Sequence, residues 1–255
     1  MDFMSPANTN PSRVRILMLH GHGQSGQFFQ CKTRCLHRPL KEAVFQALPQ
    51  DFRQDEIDTI DFYYPSARTA NPDHSREESS NQCAWGYGDH KDGVIRGLDS
   101  TVEYLAWFME QHGPFTGIIG FSTGAALTAV MTSLLEKDKS LCGFPSMNFH
   151  PRLKFAICIS GFKLENPFYD LIYASKIETP TLHVIGAMDS VVTPAQSLRL
   201  GSFCQSPSFF GFHGTHYVPK SSEFLATMIC FVTGALGPKA DVGSDNEEDW
   251  EDCDA

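Results

Sequence analysis

With 255 residues, 42% of them apolar and 12% aromatic, the chain is long enough to bury a sizeable core, and one catalytic domain is the expected organisation. The formal charge of −10 is concentrated at the C-terminal end, where Asp241, Asp245, Glu247, Glu248, Asp249, Glu251, Asp252 and Asp254 lie close together. The remainder is nearly neutral, so charge offers nothing for a nucleic-acid partner. The longest apolar runs, such as 116–119 and 155–159, fall far below the roughly 18 residues of a membrane span, and the polar start at 1–12 lacks the basic and apolar regions of a secretory signal. A cytoplasmic protein without a membrane anchor is expected. Eight scattered cysteines without C-x-x-C spacing read as free thiols.

In chain order, β-rich apolar runs at 14–19, 57–64, 116–120, 155–160, 181–185 and 208–212 predict strands, and their continuous hydrophobicity suits a parallel sheet covered on both faces. Helices are predicted over 36–48, 98–112, 122–136, 194–203 and 221–236; in the second, Val102, Leu105, Ala106 and Met109 form one apolar stripe. Strand alternating with helix predicts a doubly wound α/β sheet, whose ligands bind beyond the carboxyl ends of the strands. The domain is expected over 14–237, after a flexible N-terminus at 1–13. Within it, residues 65–97 are too long and polar for a plain connection, so they are a functional loop or lid or a loose insertion. The acidic segment 238–255 has almost nothing apolar besides Val242 and Trp250 and is expected to be disordered.

Gly120-Phe121-Ser122-Thr123-Gly124 fits G-x-S-x-G. The pentapeptide alone is weak evidence, but here it follows a β-like run and opens the helix-like run from Ala125, the setting a nucleophilic serine needs. A serine hydroxyl requires a base to take its proton, and the base requires a carboxylate to orient it. Asp189 lies three residues beyond the buried run ending at Gly186, whereas Asp170 sits in a helical segment and Glu165 and Glu178 in loops without such a strand. In the loop after the last strand, His216 is the candidate base, with His213 as its rival.

After the first strand, Leu19-His20-Gly21-His22-Gly23-Gln24-Ser25-Gly26 matches G-x-G-x-x-G at Gly21, Gly23 and Gly26. A dinucleotide site would need an acid at the end of the second strand, but Asp61 lies well inside it. In a hydrolase the same turn supplies a backbone amide, that of His22, which would join the amide of Thr123 in an oxyanion hole. His20 and His22, and likewise Cys31, Cys35 and His37, read as unligated groups rather than a metal cluster. Phe28, Phe29, Trp85 and Phe162 are candidates for an acyl pocket, or for packing.

Five ordered motifs resemble the FSH family of serine hydrolases, a mainly fungal branch of the α/β-hydrolases. They are the turn 19–26, the run 113–122, Ile159-Ser160-Gly161-Phe162, His183-Val184-Ile185-Gly186 with Asp189, and Gly214-Thr215-His216-Tyr217-Val218-Pro219. The resemblance covers roughly 14–234. It implies an α/β-hydrolase fold and cofactor-free, metal-free hydrolysis of an acyl ester or thioester through Ser122, Asp189 and His216. Some fungal members release polyketide chains, so a polyketide synthase acyl carrier domain is a possible partner. Thr123 and Thr215 stand where the family usually has Gln and Gly; both changes leave backbone amides in place and alter only the pocket rim. A short-chain esterase or lactonase, and a non-catalytic binding module with the acidic tail as its contact, are the alternatives.

Overall fold

The computed structural model describes residues 13–47, 60–68, 83–89, 93–137 and 140–237. The N-terminal segment 1–12, the acidic segment 238–255 and the middle of the 65–97 insertion, at 69–82 and 90–92, lie outside the described residues. The elements run β1 (Val14–Leu19), α1 (Gly26–Ala47), β2 (Ile60–Tyr63), α2 (Leu98–His112), β3 (Gly117–Phe121), α3 (Thr123–Glu136), β4 (Phe155–Ile159), α4 (Asp170–Tyr173), β5 (Thr181–Gly186), α5 (Pro194–Ser202), β6 (Pro207–Phe212) and α6 (Ser222–Leu236).

All six strands join one parallel sheet in the order β2-β1-β3-β4-β5-β6. Residues of β3, β4 and β5 are buried throughout, as continuous apolar runs covered on both faces require. Side chains alternate across the pleat, so β1 sends Ile16 and Met18 to one face and Leu17 and Leu19 to the other. The first face packs against α1 and α6, the second against α2, α3 and α5, which makes an α/β-hydrolase-type three-layer body with two cores.

The chain leaves β1 toward β2 on one side and later toward β3 on the other. This reversal opens a crevice between the carboxyl ends of β1 and β3, where ligands of doubly wound sheets bind.

Helix α1 begins ten residues before the expected position 36. Its buried residues Gly26, Phe29, Thr33, Leu36, Leu40 and Val44 do keep helical spacing, but glycine and threonine occupy part of that stripe. Thr33 is tolerated inside because its hydroxyl donates to the Phe29 carbonyl at 2.8 Å. The remaining helices start and stop within one residue of expectation. Two of these starts carry ordinary caps: Thr193 and Gln196 form a capping box at α5, and Ser221 accepts from the Phe224 amide at α6. The short α4 begins at Asp170, which was expected in a helical segment; it was not among the predicted helix ranges because four residues are too few to show periodicity. Among the described residues, no helix is long and apolar enough to cross a membrane.

Candidate active site

Ser122 occupies the turn between β3 and α3 with φ 56° and ψ −119°, a conformation unfavourable for any residue with a side chain. Neighbouring backbone holds it there. Its amide donates to the Ile159 carbonyl at 2.9 Å, and its carbonyl accepts from the amides of Ala125 and Ala126 at 2.9 and 3.0 Å. The flanking glycines make so sharp a turn possible. A Cβ at Gly120 would collide with the Gly124 carbonyl oxygen and the Thr128 hydroxyl; one at Gly124 would collide with the carbonyl oxygens of Leu19 and His20. The motif therefore encodes a close approach of α3 to β3 and β1.

Across the crevice, the loop after β6 brings His216 over the serine. Its Nε2 lies 2.9 Å from Ser122 Oγ, and its Nδ1 lies 2.7 Å from Asp189 Oδ2. The other carboxylate oxygen, Oδ1, accepts from the amides of Val191 and Val192 at 3.0 and 2.9 Å. Burial pushes the Asp189 carboxyl up, but the His216 hydrogen bond, the Val192 amide and Ser160 outweigh it and hold the group below the usual carboxylate range. An ionised Asp189 on Nδ1 favours the tautomer that leaves Nε2 free to accept the serine proton.

The rival groups stand elsewhere. His213 is exposed. Asp170 pairs with Lys163, Glu165 with Arg199 and Glu178 with Arg152. Asp61 lies inside β2 and pairs with Arg13 at 2.7 Å, away from any strand end.

The turn after β1 forms the opposite wall. Gly23, with φ 68°, donates its amide to the Cys83 carbonyl at 3.1 Å, and Gln24 donates to the Gly21 carbonyl at 3.3 Å. Among the described residues, the His22 and Thr123 amides meet no backbone carbonyl. His20 is fully buried beneath this turn. Its Nδ1 meets the Gly21 carbonyl at 2.8 Å, and its Nε2 accepts from the Ala67 amide at 3.0 Å. Both ring nitrogens are thus engaged. Desolvation lowers its pKa to about 4, so it stays neutral at physiological pH.

The described part of the 65–97 insertion has a structural task at this wall that composition did not reveal. Trp85 stacks on the His20 ring, with centroids 4.5 Å apart, and its indole N–H donates to the His20 carbonyl at 2.7 Å. Tyr87 and Arg96 exchange backbone bonds, and the Ile95 amide donates to Tyr169 Oη at 2.8 Å.

Residues 8–228 match the family described as "Serine hydrolase (FSH1)". The chain belongs to this serine hydrolase family. Among relatives of this family member, budding yeast "Family of serine hydrolases 2" is 30% identical over 82% of this chain and 93% of its own length. "Esterase OVCA2" of Xenopus tropicalis is 28% identical over 84% and 90%. The chain spans about half the length of two fission yeast relatives, 47% of a protein named dihydrofolate reductase and 51% of an uncharacterized hydrolase. Among solved structures, acyl-protein thioesterase 2 of Zea mays superposes with a TM-score of 0.57 at 19% identity, covering 92% of this chain and 97% of that one, which establishes the α/β-hydrolase fold.

The four aromatic candidates divide. Trp85 and Phe162 are buried in the core that contains the inner face of α3. Phe28 is 47% exposed on the first turn of α1, with the Lys32 ammonium 5.1 Å above its ring. Phe29 takes the packing alternative: it is fully buried in the other core with Ile16 and Phe121, because helical spacing turns it inward one position after Phe28. The groups missed from sequence are Ala67 and Cys83, which support the turn only through contacts distant in the chain.

Proposed function

We propose that the protein hydrolyses a carboxylic ester or acyl thioester through an acyl-enzyme on Ser122. The observation that carries this reading is the hydrogen-bonded series from Ser122 Oγ to His216 and from His216 to Asp189, at 2.9 and 2.7 Å. His216 Nε2 takes the serine proton as Oγ attacks the acyl carbonyl. The amides of His22 and Thr123, neither bonded to a backbone carbonyl among the described residues, receive the oxyanion. Thr123 is also the first residue of α3, where unpaired amides and the helix dipole favour negative charge. The imidazolium, stabilised by Asp189, returns its proton to the departing alcohol or thiol. Water then attacks the acyl-enzyme by the same route, with His216 again as the base.

Labelling with a fluorophosphonate probe tests the reading. Wild-type protein is expected to label and Ser122→Ala to lose labelling completely; an unlabelled wild type, or equal labelling of both, would sink it. Release of a polyketide or fatty acyl chain from a carrier protein is the narrower form of the same chemistry. It predicts that carrier-bound acyl thioesters are cleaved faster than small unactivated esters of the same acyl group.

A further inference from the structure

Strand β4 lies between the strand that ends at the nucleophile and the strand that leads to the acid. Phe121 of β3, Ile159 of β4 and Val184 of β5 are level with one another in the sheet, so Ser160, one position further, stands between the Ser122 turn and the approach to Asp189. Hydrogen bonds on all sides fix it there. The Ile159 carbonyl accepts from the Ser122 amide at 2.9 Å, the Ser160 amide donates to the Val184 carbonyl at 2.9 Å, and the Gly161 carbonyl accepts from the Ser197 hydroxyl at 2.8 Å.

Two features of Ser160 are unfavourable. Its φ of 49° lies in the left-handed region, which glycine adopts freely and a residue with a Cβ adopts only at a cost. The residue is also 1% exposed, and its Oγ meets no partner at hydrogen-bond geometry. Glycine would remove both costs. The group on which the hydroxyl acts is the Asp189 carboxylate, which Ser160 helps hold below the usual carboxylate range. That carboxylate has room for another donor. An ionised carboxylate offers about four acceptor sites. Val191 and Val192 donate to Oδ1 and the His216 ring faces Oδ2, which leaves one site open.

We propose that Ser160 is a positioning residue for the reaction: its hydroxyl gives Asp189 a further hydrogen bond, loose in the free enzyme and closed during the chemistry, that keeps the carboxylate on His216 Nδ1. The proposal rests on the acyl-enzyme reading above. Hydrogen bonds that serve catalysis are often long or misaligned in a free enzyme and tighten once substrate is bound. Oδ1 is anchored by two loop amides, whereas among the described residues Oδ2 faces the His216 ring, whose charge changes each time it takes or returns a proton. A neutral donor on a fixed strand end steadies the carboxylate through those changes. Because Ser160 is buried and acts through Asp189, it does not touch the substrate. Its contribution therefore falls on kcat and leaves KM alone.

The test measures kcat and KM for 4-nitrophenyl butyrate in the wild type, Ser160→Ala, Ser160→Gly, Asp189→Asn and the double variant Ser160→Ala/Asp189→Asn, with fluorophosphonate labelling and a thermal melt of each. Ser160→Ala and Ser160→Gly are each expected to lose about tenfold in kcat with KM unchanged, the scale of a slightly misplaced catalytic group. Neither is expected to melt below the wild type, since the hydroxyl they remove is unbonded in the free enzyme and glycine also relieves the left-handed backbone. Ser160→Gly decides the matter should Ser160→Ala fail to fold. In the Asp189→Asn background, Ser160→Ala is expected to cost nothing further, because a residue that acts through the carboxylate has nothing left to position. A labelled wild type whose folded Ser160 variants keep full kcat overturns the proposal. So does a loss carried by KM, a loss matched by a fall in melting temperature, or a tenfold loss that persists in the Asp189→Asn background. Absence of labelling in the wild type overturns the hydrolase reading itself.

Discussion

Asp189 does two things with one carboxylate: Oδ1 is held by two loop amides, and Oδ2 faces the His216 ring. Asn at this position would keep the loop contacts through its carbonyl oxygen but turn an N–H toward Nδ1. The imidazole would then carry its proton on Nε2 and no longer accept from Ser122. Asp189→Asn is expected to lower kcat by roughly 10⁴-fold with little loss of stability, read by steady-state hydrolysis of 4-nitrophenyl butyrate alongside a thermal melt. A fall of less than tenfold would remove Asp189 from the proposed mechanism. Its pKa is already held low, so any loss of activity between pH 7 and 5 belongs to another group. At this scale the sequence was most readable for Ser122, whose neighbours in the chain are also its neighbours in space. Choosing His216 over His213 depended on the path of a loop, and the choice of Asp189 over other acids rested on its place just beyond the end of a buried strand.

Among the elements, the β3–α3 turn is the least tolerant of change. Gly124 faces the carbonyl oxygens of Leu19 and His20, which belong to β1 and the turn after it, so added bulk would push the nucleophile's helix away from the crevice wall. Gly124→Ala is expected to cost about 3 kcal/mol in urea unfolding, the upper end for overpacking because the obstacle is backbone, and to depress activity further than the stability loss explains. An unfolding midpoint equal to the wild type would refute that close approach. Helix boundaries were legible wherever the apolar stripe was continuous, as in α2. The early start of α1 was hidden because Gly26 and Thr33 occupy buried stripe positions without looking hydrophobic.

For the whole molecule, buried histidines shape the response to acid, His20 and His183 most strongly. Desolvation lowers His20 and His183 from 6.5 to about 4. Unfolding exposes both, so the unfolded chain takes up these protons near pH 6.5 and the folded protein only near pH 4. Between those values the unfolded state binds more protons, and stability must rise with pH. Each group contributes up to about 3 kcal/mol at neutral pH that is lost on acidification to pH 4. Denaturant unfolding at several pH values across this window should show uptake of close to two protons or more; a flat profile would mean that neither ring is buried as described. The burial of His183 was readable from the apolar run 181–185 around it, whereas that of His20 depends on Ala67 and Trp85, which are distant in the chain.

What the chain determined by itself was everything with a local cause: the strand and helix alternation that follows from hydrophobic period, the parallel sheet that follows from strands buried on both faces, and the strained serine turn that follows from two glycines at fixed spacing. Tertiary structure alone decided which histidine reaches Ser122 and that Trp85 stacks on His20 to brace the turn after β1. These are contacts between residues up to 94 positions apart, and a contact over such a separation is set by how the layers pack, which no local pattern of residues records.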